Sequence, residues 1–192
     1  TKAVIVPILF DATKQKVLDF CEDLRRQIEG IGVSVHVDDR EGHSPGWKFS
    51  DWELRGVPVR IEVGPKDLEN HQVVLVRRDT GEKDFVPVDK LTTRLPVLLS
   101  QIQQSLLDKA NAHLNSSVVD VGTWDEFQSA IKDNKMARST WCGKTSCEED
   151  IKTKTVGVGS RCMPLDEQEL VGAMCAHCGE EGKHVVLFSR SY

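Results

Sequence analysis

Hydrophobic residues recur along this chain with two periods, and the switches between them predict its elements. Ala3–Leu9 is a short, almost unbroken apolar run, the mark of a buried strand. Val17, Phe20, Cys21, Leu24 and Ile28 then recur three and four apart. They share one face of a helix entered at Asp11-Ala12-Thr13 and stopped by Gly30 and Gly32. Val33–Val37 returns to alternation and reads as a second strand. A β-α-β opening of this kind predicts parallel strands.

Asp38–Gly46 is polar, with Gly and Pro, and reads as a loop. Trp47–Leu54 predicts a short helix ending at Gly56. Val57, Val59, Ile61 and Val63 alternate with Pro58, Arg60 and Glu62, so a strand follows with its apolar set on one face. Gly64-Pro65 ends it. Gln72–Arg77 and Lys83–Val88 flank Asp79-Thr80-Gly81-Glu82 and read as a hairpin. Leu91–Leu114 is the longest helical stretch, with Pro96 placed in its first turn, where the missing N–H costs little. Asn115–Ser117 interrupts the pattern. Thr123-Trp124-Asp125-Glu126 has the form of a capping box, with Phe127 and Ile131 following on one face. Beyond Asn134 the chain turns to Cys, Gly and short strands. Two domains are therefore expected, residues 1–115 and residues 116–192.

Charge narrows the partners. The 192 residues carry 25 Lys and Arg against 30 Asp and Glu, a net charge of −5. That argues against coating nucleic acid by charge alone, but not against recognition by shaped pockets. No apolar stretch approaches the roughly 20 residues of a membrane span. The chain opens on Thr1, almost directly on a strand, as expected of a segment of a longer protein.

Of six cysteines, five fall in the last 51 residues. Cys142-x4-Cys147 and Cys175-x2-Cys178 are two close pairs, each able to supply two corners of a tetrahedral thiolate site for zinc. Gly179 after the second pair lets the backbone turn tightly, as in a zinc knuckle. A small module with a modest core gains from such a cross-link. Protein ligands fill all four positions, so the site reads as structural. His177 could replace one thiol, His184 and Cys162 less readily. A redox dithiol at Cys175 and Cys178 is the competing reading, although a strand and not a long helix follows. Cys21, on a helix face, reads as a plain buried thiol.

The segment Gly46–Glu69 concentrates function-prone residues. Phe49 and Glu53 share a helical face, Arg60 and Glu62 share the polar face of the next strand, and Lys66 and Asp67 sit in the turn after it. Such a set suits unpaired bases: a ring stacks, carboxylates accept from guanine amino groups, and cations donate to base acceptors or phosphate. A solvated, ion-paired surface with Trp47, Phe49 and Trp52 as core is the plainer alternative.

Gly46–Glu69 resembles the signature of the anticodon-binding domain of prolyl-tRNA synthetases of the eukaryotic and archaeal type. Trp141-Cys142 with the Cys pairs, Cys162-Met163-Pro164 and the ending Leu187–Tyr192 resemble the zinc-containing C-terminal extension of the same enzymes. The resemblance covers essentially the whole chain. It implies the class II synthetase anticodon-binding fold, a mixed sheet flanked by helices in an α/β domain, followed by a small α+β zinc-binding domain. By motif position, Phe49 would stack on a base, Glu53 and Asp67 would read donor edges of the two guanines of the proline anticodon, and Arg60 and Lys66 would hold base acceptors or backbone. Glu62 would buttress Arg60. Cys142, Cys147, Cys175 and Cys178 would bind zinc, and Tyr192 matches a terminal residue that approaches the active site in relatives. The parent would be a cytoplasmic, homodimeric ligase using ATP and magnesium in a catalytic domain, with fused glutamyl-prolyl enzymes among its forms. No stretch of this chain reads as that catalytic core, so the segment itself is expected to bind proline tRNA without chemistry of its own. Two rivals stand beside this reading: a structural module that docks on the catalytic domain or another subunit, and the thiol oxidoreductase.

Overall fold

Every residue of the first strand is buried, because it is an inner strand of a sheet whose two faces are covered by helices. The computed structural model describes residues 1–165 and 169–191. Its internal packing separates a unit from Thr1 to Asp108 and a unit from Lys109 onward. Tyr192 lies outside the described residues.

The first unit runs β1 (Ala3–Pro7), α1 (Lys14–Gly30), β2 (Val35–Val37), α2 (Pro45–Leu54), β3 (Val59–Val63), α3 (Pro65–Glu69), β4 (Gln72–Arg77), β5 (Lys83–Pro87) and the part of α4 (Val88–Ser117) up to Asp108, the rest of that helix being counted with the second unit. The sheet order is β2-β1-β3-β4-β5. β1 pairs in parallel with β2 and β3, and β3, β4 and β5 follow antiparallel, which makes the sheet mixed. Val59, Ile61, Val63, Val73 and Leu75 point to one face and pack with Leu24 and Ile28 of α1 and Leu91 and Leu95 of α4. Each such side chain removed from water contributes roughly 1.5–3 kcal/mol. On the other face Val4 and Val6 pack with Trp52 of α2, Val57 and the half-buried Phe49. Cys21 is fully buried, and burial pushes its thiol up to about 12, as expected of an inert core residue.

Three local expectations are corrected. Lys66 and Asp67 stand not in a plain turn but in the one-turn helix α3. Extended Gly64 precedes it, Pro65 pre-sets its first position, and an Asp67 carboxylate oxygen accepts the Gly64 N–H at 2.9 Å. α4 begins at Val88, directly after β5, so Pro96 is interior to the helix and not in its first turn. It lies on the exposed face, where water can serve the carbonyl that loses its donor. The helix also continues through Ser116 and Ser117, whose hydroxyls donate back to the His113 carbonyl.

The second unit contains β6 (Val118–Val121), α5 (Trp124–Lys132), β7 (Met136–Trp141), α6 (Thr145–Lys154), β8 (Val158–Cys162) and β9 (His184–Arg190). Its sheet order is β6-β7-β9-β8, with β6 and β7 parallel across α5 and the remaining pairs antiparallel. The Thr123 hydroxyl caps α5 at Glu126 N–H, while the Glu126 carboxylate accepts from Gly122 and Thr123 N–H. Those amides hold the Glu126 carboxyl below its ordinary range. Phe127 of α5 meets Phe188 of β9 edge-on, with centroids 5.4 Å apart, at the centre of a core that also includes Cys142, Cys147 and Cys175.

Candidate functional site

The strand registers draw two rows across the α2-side face of the first sheet: Val4–Arg60–Val76–Lys83, and Val6–Glu62–Val74–Phe85. α2 packs on the Val4 and Val6 ends of these rows. At the other end Phe85 is 62% exposed. Polar and aromatic side chains therefore decorate the β3–β5 part of the face.

Arg60 is the hub. Its Nη1 donates to Glu53 Oε1 at 2.7 Å and its Nε to Glu62 Oε1 at 3.0 Å. The guanidinium lies 4.1 Å from the centroid of the Phe49 ring. Glu62 is nearly buried and is also held by Lys83, whose Nζ donates to Glu62 Oε2 at 3.0 Å. Glu62 thus supports Arg60 from below, while Glu53 remains exposed on α2. The arrangement offers a ring, an acceptor carboxylate and a fixed donor fork within one group, a set complementary to a guanine edge and face.

Of the five residues that the motif singles out, Phe49, Glu53 and Arg60 meet in this group. Lys66 and Asp67 stand apart from it, on α3 just past the carboxyl end of β3. Lys66 is exposed. Asp67 caps Gly64 and accepts from Gln72 Nε2 at 3.3 Å, so part of its acceptor capacity is already engaged.

Sequence reading missed Lys83 and Phe85, although the hairpin alternation carried the signal: with Val86 inward, both must face the opposite side. It read Asp38–Gly46 as a loop, which the segment is up to Ser44, but gave Asp38 no role. Asp38 is fully buried directly after β2. It accepts from Trp52 Nε1 at 2.7 Å and from Arg40 Nε and Nη2 at 2.8 and 2.7 Å. The buried Lys48 ammonium donates to its carbonyl at 2.9 Å. Burial would raise the Asp38 carboxyl, but the Arg40, Trp52 and Lys48 donors win and hold it well below the usual carboxylate range. Arg40 continues to Asp51 at 2.7 Å and lies 5.1 Å from the ring centre of Trp47, on which His43 stacks at 3.8 Å. This network fixes α2, and with it Phe49 and Glu53.

In the second unit the Cys142, Cys147, Cys175 and Cys178 sulfurs all lie within 4.8 Å of one another. Cys147 to Cys175 is 3.8 Å and Cys142 to Cys178 is 3.6 Å. A tetrahedron with metal–sulfur bonds near 2.3 Å has edges of about 3.8 Å, so the donor set fits a thiolate-bound ion. Burial raises Cys175, yet the amides of Cys178, His177 and Cys142 outweigh it and lower the thiol. Burial, reinforced by the charge on Cys175, pushes Cys147 up. Deprotonating all four together calls for a cation. His177 stands outside the tetrad, with Nδ1 3.3 Å from Cys147 Sγ and its ring edge-on to Trp124. Cys162 ends β8, exposed and outside the cluster.

The anticodon binding domain family matches residues 2–98, and the family described as prolyl-tRNA synthetase, C-terminal, matches residues 124–192. The proline–tRNA ligase of Clostridium novyi (strain NT) is 47% identical over 193 residues, covering 100% of this chain and 39% of that protein. The proline–tRNA ligase of Oceanobacillus iheyensis is 43% identical, again over 100% of the chain and 39% of the relative. The cytoplasmic proline–tRNA ligase of Arabidopsis thaliana is 38% identical over 100% of the chain and 37% of its own length. The chain thus spans about two fifths of the relatives it matches. It belongs to the anticodon-binding domain family, and its second part matches the family described as prolyl-tRNA synthetase, C-terminal.

Proposed function

We propose that the chain binds the anticodon stem-loop of proline tRNA and reads its two guanines, with residues 1–115 as the anticodon-binding domain and 116–192 as a zinc-stabilised domain. Arg60 carries the reading. It is held by Glu53, the nearly buried Glu62 and the Phe49 ring in one group, so its donors are aimed before RNA arrives. Phe49 stacks on one base. Glu53 accepts from a guanine N1–H and amino group, and Arg60 donates to O6 or N7. From α3, Asp67 accepts from a donor edge of the second guanine, and Lys66 holds a base acceptor or the backbone. Zinc suits four thiolates in a tetrahedron, and it would cross-link two short segments of a small core. The parent joins proline to its tRNA with ATP and magnesium in a catalytic domain outside this chain, as a cytoplasmic homodimer. Among the described residues no helix is long and apolar enough to cross a membrane.

The test is binding of the chain to a proline-anticodon stem-loop and to one with both guanines changed, at two salt concentrations. A preference that survives added salt supports base readout. Equal binding to both assigns the domain to docking on the rest of the parent instead.

A further inference from the structure

In the second unit a pocket of about 650 Å³ opens at the start of β7 and the end of β9. Among the described residues, the charged ones lining it have one sign: Lys135, Arg161 and Arg190, with His113 beside them. This occurs in a chain of net charge −5. Several guanidinium groups elsewhere are neutralised: Arg25, Arg40, Arg60, Arg77 and Arg94 each pair with a carboxylate. Here the partners are neutral. Arg161 donates to the Ser189 hydroxyl and carbonyl at 3.0 and 2.7 Å and to the Ser191 hydroxyl at 3.0 Å. Lys135 donates to the Ser116 carbonyl at 2.6 Å. Among the described residues no carboxylate pairs with Lys135, Arg161 or Arg190.

Neutral acceptors fix a guanidinium in place without cancelling its charge. Gathering three such cations around one concavity is unfavourable until an anion enters. The fixed Arg161 fork, the Lys135 ammonium and the Ser189 and Ser191 hydroxyls match the several acceptor oxygens of a phosphate. Asn134, in the left-handed region at φ 56°, turns the chain at the pocket wall and adds an amide donor.

We propose that this pocket is a phosphate-binding site, filled either by a phosphodiester of an RNA backbone or by a free polyphosphate. It is independent of guanine readout in the first unit.

The probes are inorganic pyrophosphate and oligouridylate, titrated into the isotopically labelled chain while the Asn134, Lys135 and Ser189–Ser191 amide resonances are followed. The variant is Lys135→Ala with Arg190→Ala. Arg161 is left in place because its hydrogen bonds join the ends of β8 and β9, and resonances elsewhere report that the fold is intact. The expected result is saturable shifts at these amides, weakened at least about tenfold in the variant. If oligouridylate shifts the same amides and displaces pyrophosphate, the ligand is RNA backbone. The slope of its log-affinity against log-salt should then be shallower in the variant by about 0.7 for each phosphate no longer neutralised. Shifts with pyrophosphate alone assign a free polyphosphate. No saturable shift with either probe, or shifts unchanged in the double variant, overturns the proposal.

Discussion

The Trp52 indole N–H donates to the buried Asp38 carboxylate at 2.7 Å, joining the core helix α2 to the end of β2. Trp52→Phe keeps an aromatic ring but removes that donor and part of the buried indole. Its expected cost is about 1–3 kcal/mol, because a buried acceptor loses a partner. Urea denaturation of the chain measures it. Affinity for the stem-loop should fall with it if this network positions Phe49 and Glu53.

The same carboxylate sets an acid limit. Its folded pKa is depressed, so its contribution is full above the unfolded value of about 4 and is lost as pH falls toward the folded one. The stability gap between the natural chain and Asp38→Asn should therefore be largest near neutral pH and close below about pH 4. A gap independent of pH would mean the carboxylate charge contributes nothing.

Phe49→Ala is expected to weaken stem-loop binding by about 1–3 kcal/mol, the range for loss of one base-stacking platform. Arg60→Ala should weaken the cognate loop more than one with changed guanines. Equal losses for both loops in an equilibrium binding assay would reduce Arg60 to a charge contact.

Thiol titration reads the metal centre. With the ion bound, Cys162 alone should react quickly, since it is exposed and outside the tetrad while Cys21 is buried. A strong chelator should release one metal per chain, expose the tetrad thiols and lower the melting temperature. Rapid reaction of Cys175 and Cys178 before chelation would favour the redox reading.

Gly182 marks a tight crossing beside that centre. A Cβ there would stand 2.0 Å from Thr140 Cγ2 and 3.1 Å from the Ala173 carbonyl, and Thr140 is buried. Gly182→Ala should cost about 1–3 kcal/mol by overpacking. Thermal unfolding checks this, and unchanged stem-loop binding is expected alongside it.

Period and punctuation determined much of the fold. The helical spacing from Val17 to Ile28, the alternation from Val57 to Val63 and the capping box at Thr123 each encode a local preference that packing preserves. The Cys spacings likewise made the tetrad legible, because ligands close in sequence must lie close in space. β6, α6 and β8 escaped for the converse reason. α6 buries only Cys147 and Ile151, and β8 is largely an exposed edge, so neither carries a strong apolar period. Lys66 and Asp67 seemed adjacent to Arg60 by number, yet the capping of α3 sets them apart from its group.

What only tertiary structure decided is which polar residues meet. Asp38 reads as one loop acid among several until β2 and α2 bury it against Trp52, Lys48 and Arg40. Lys83 joins Glu62 only through the strand register, and Arg161 and Lys135 line one pocket only where β7, β8 and β9 come together. Hydrophobic period is a local property of the chain and survives in the sequence. Charge pairing depends on distances across residues far apart in number, which the chain fixes only when it closes.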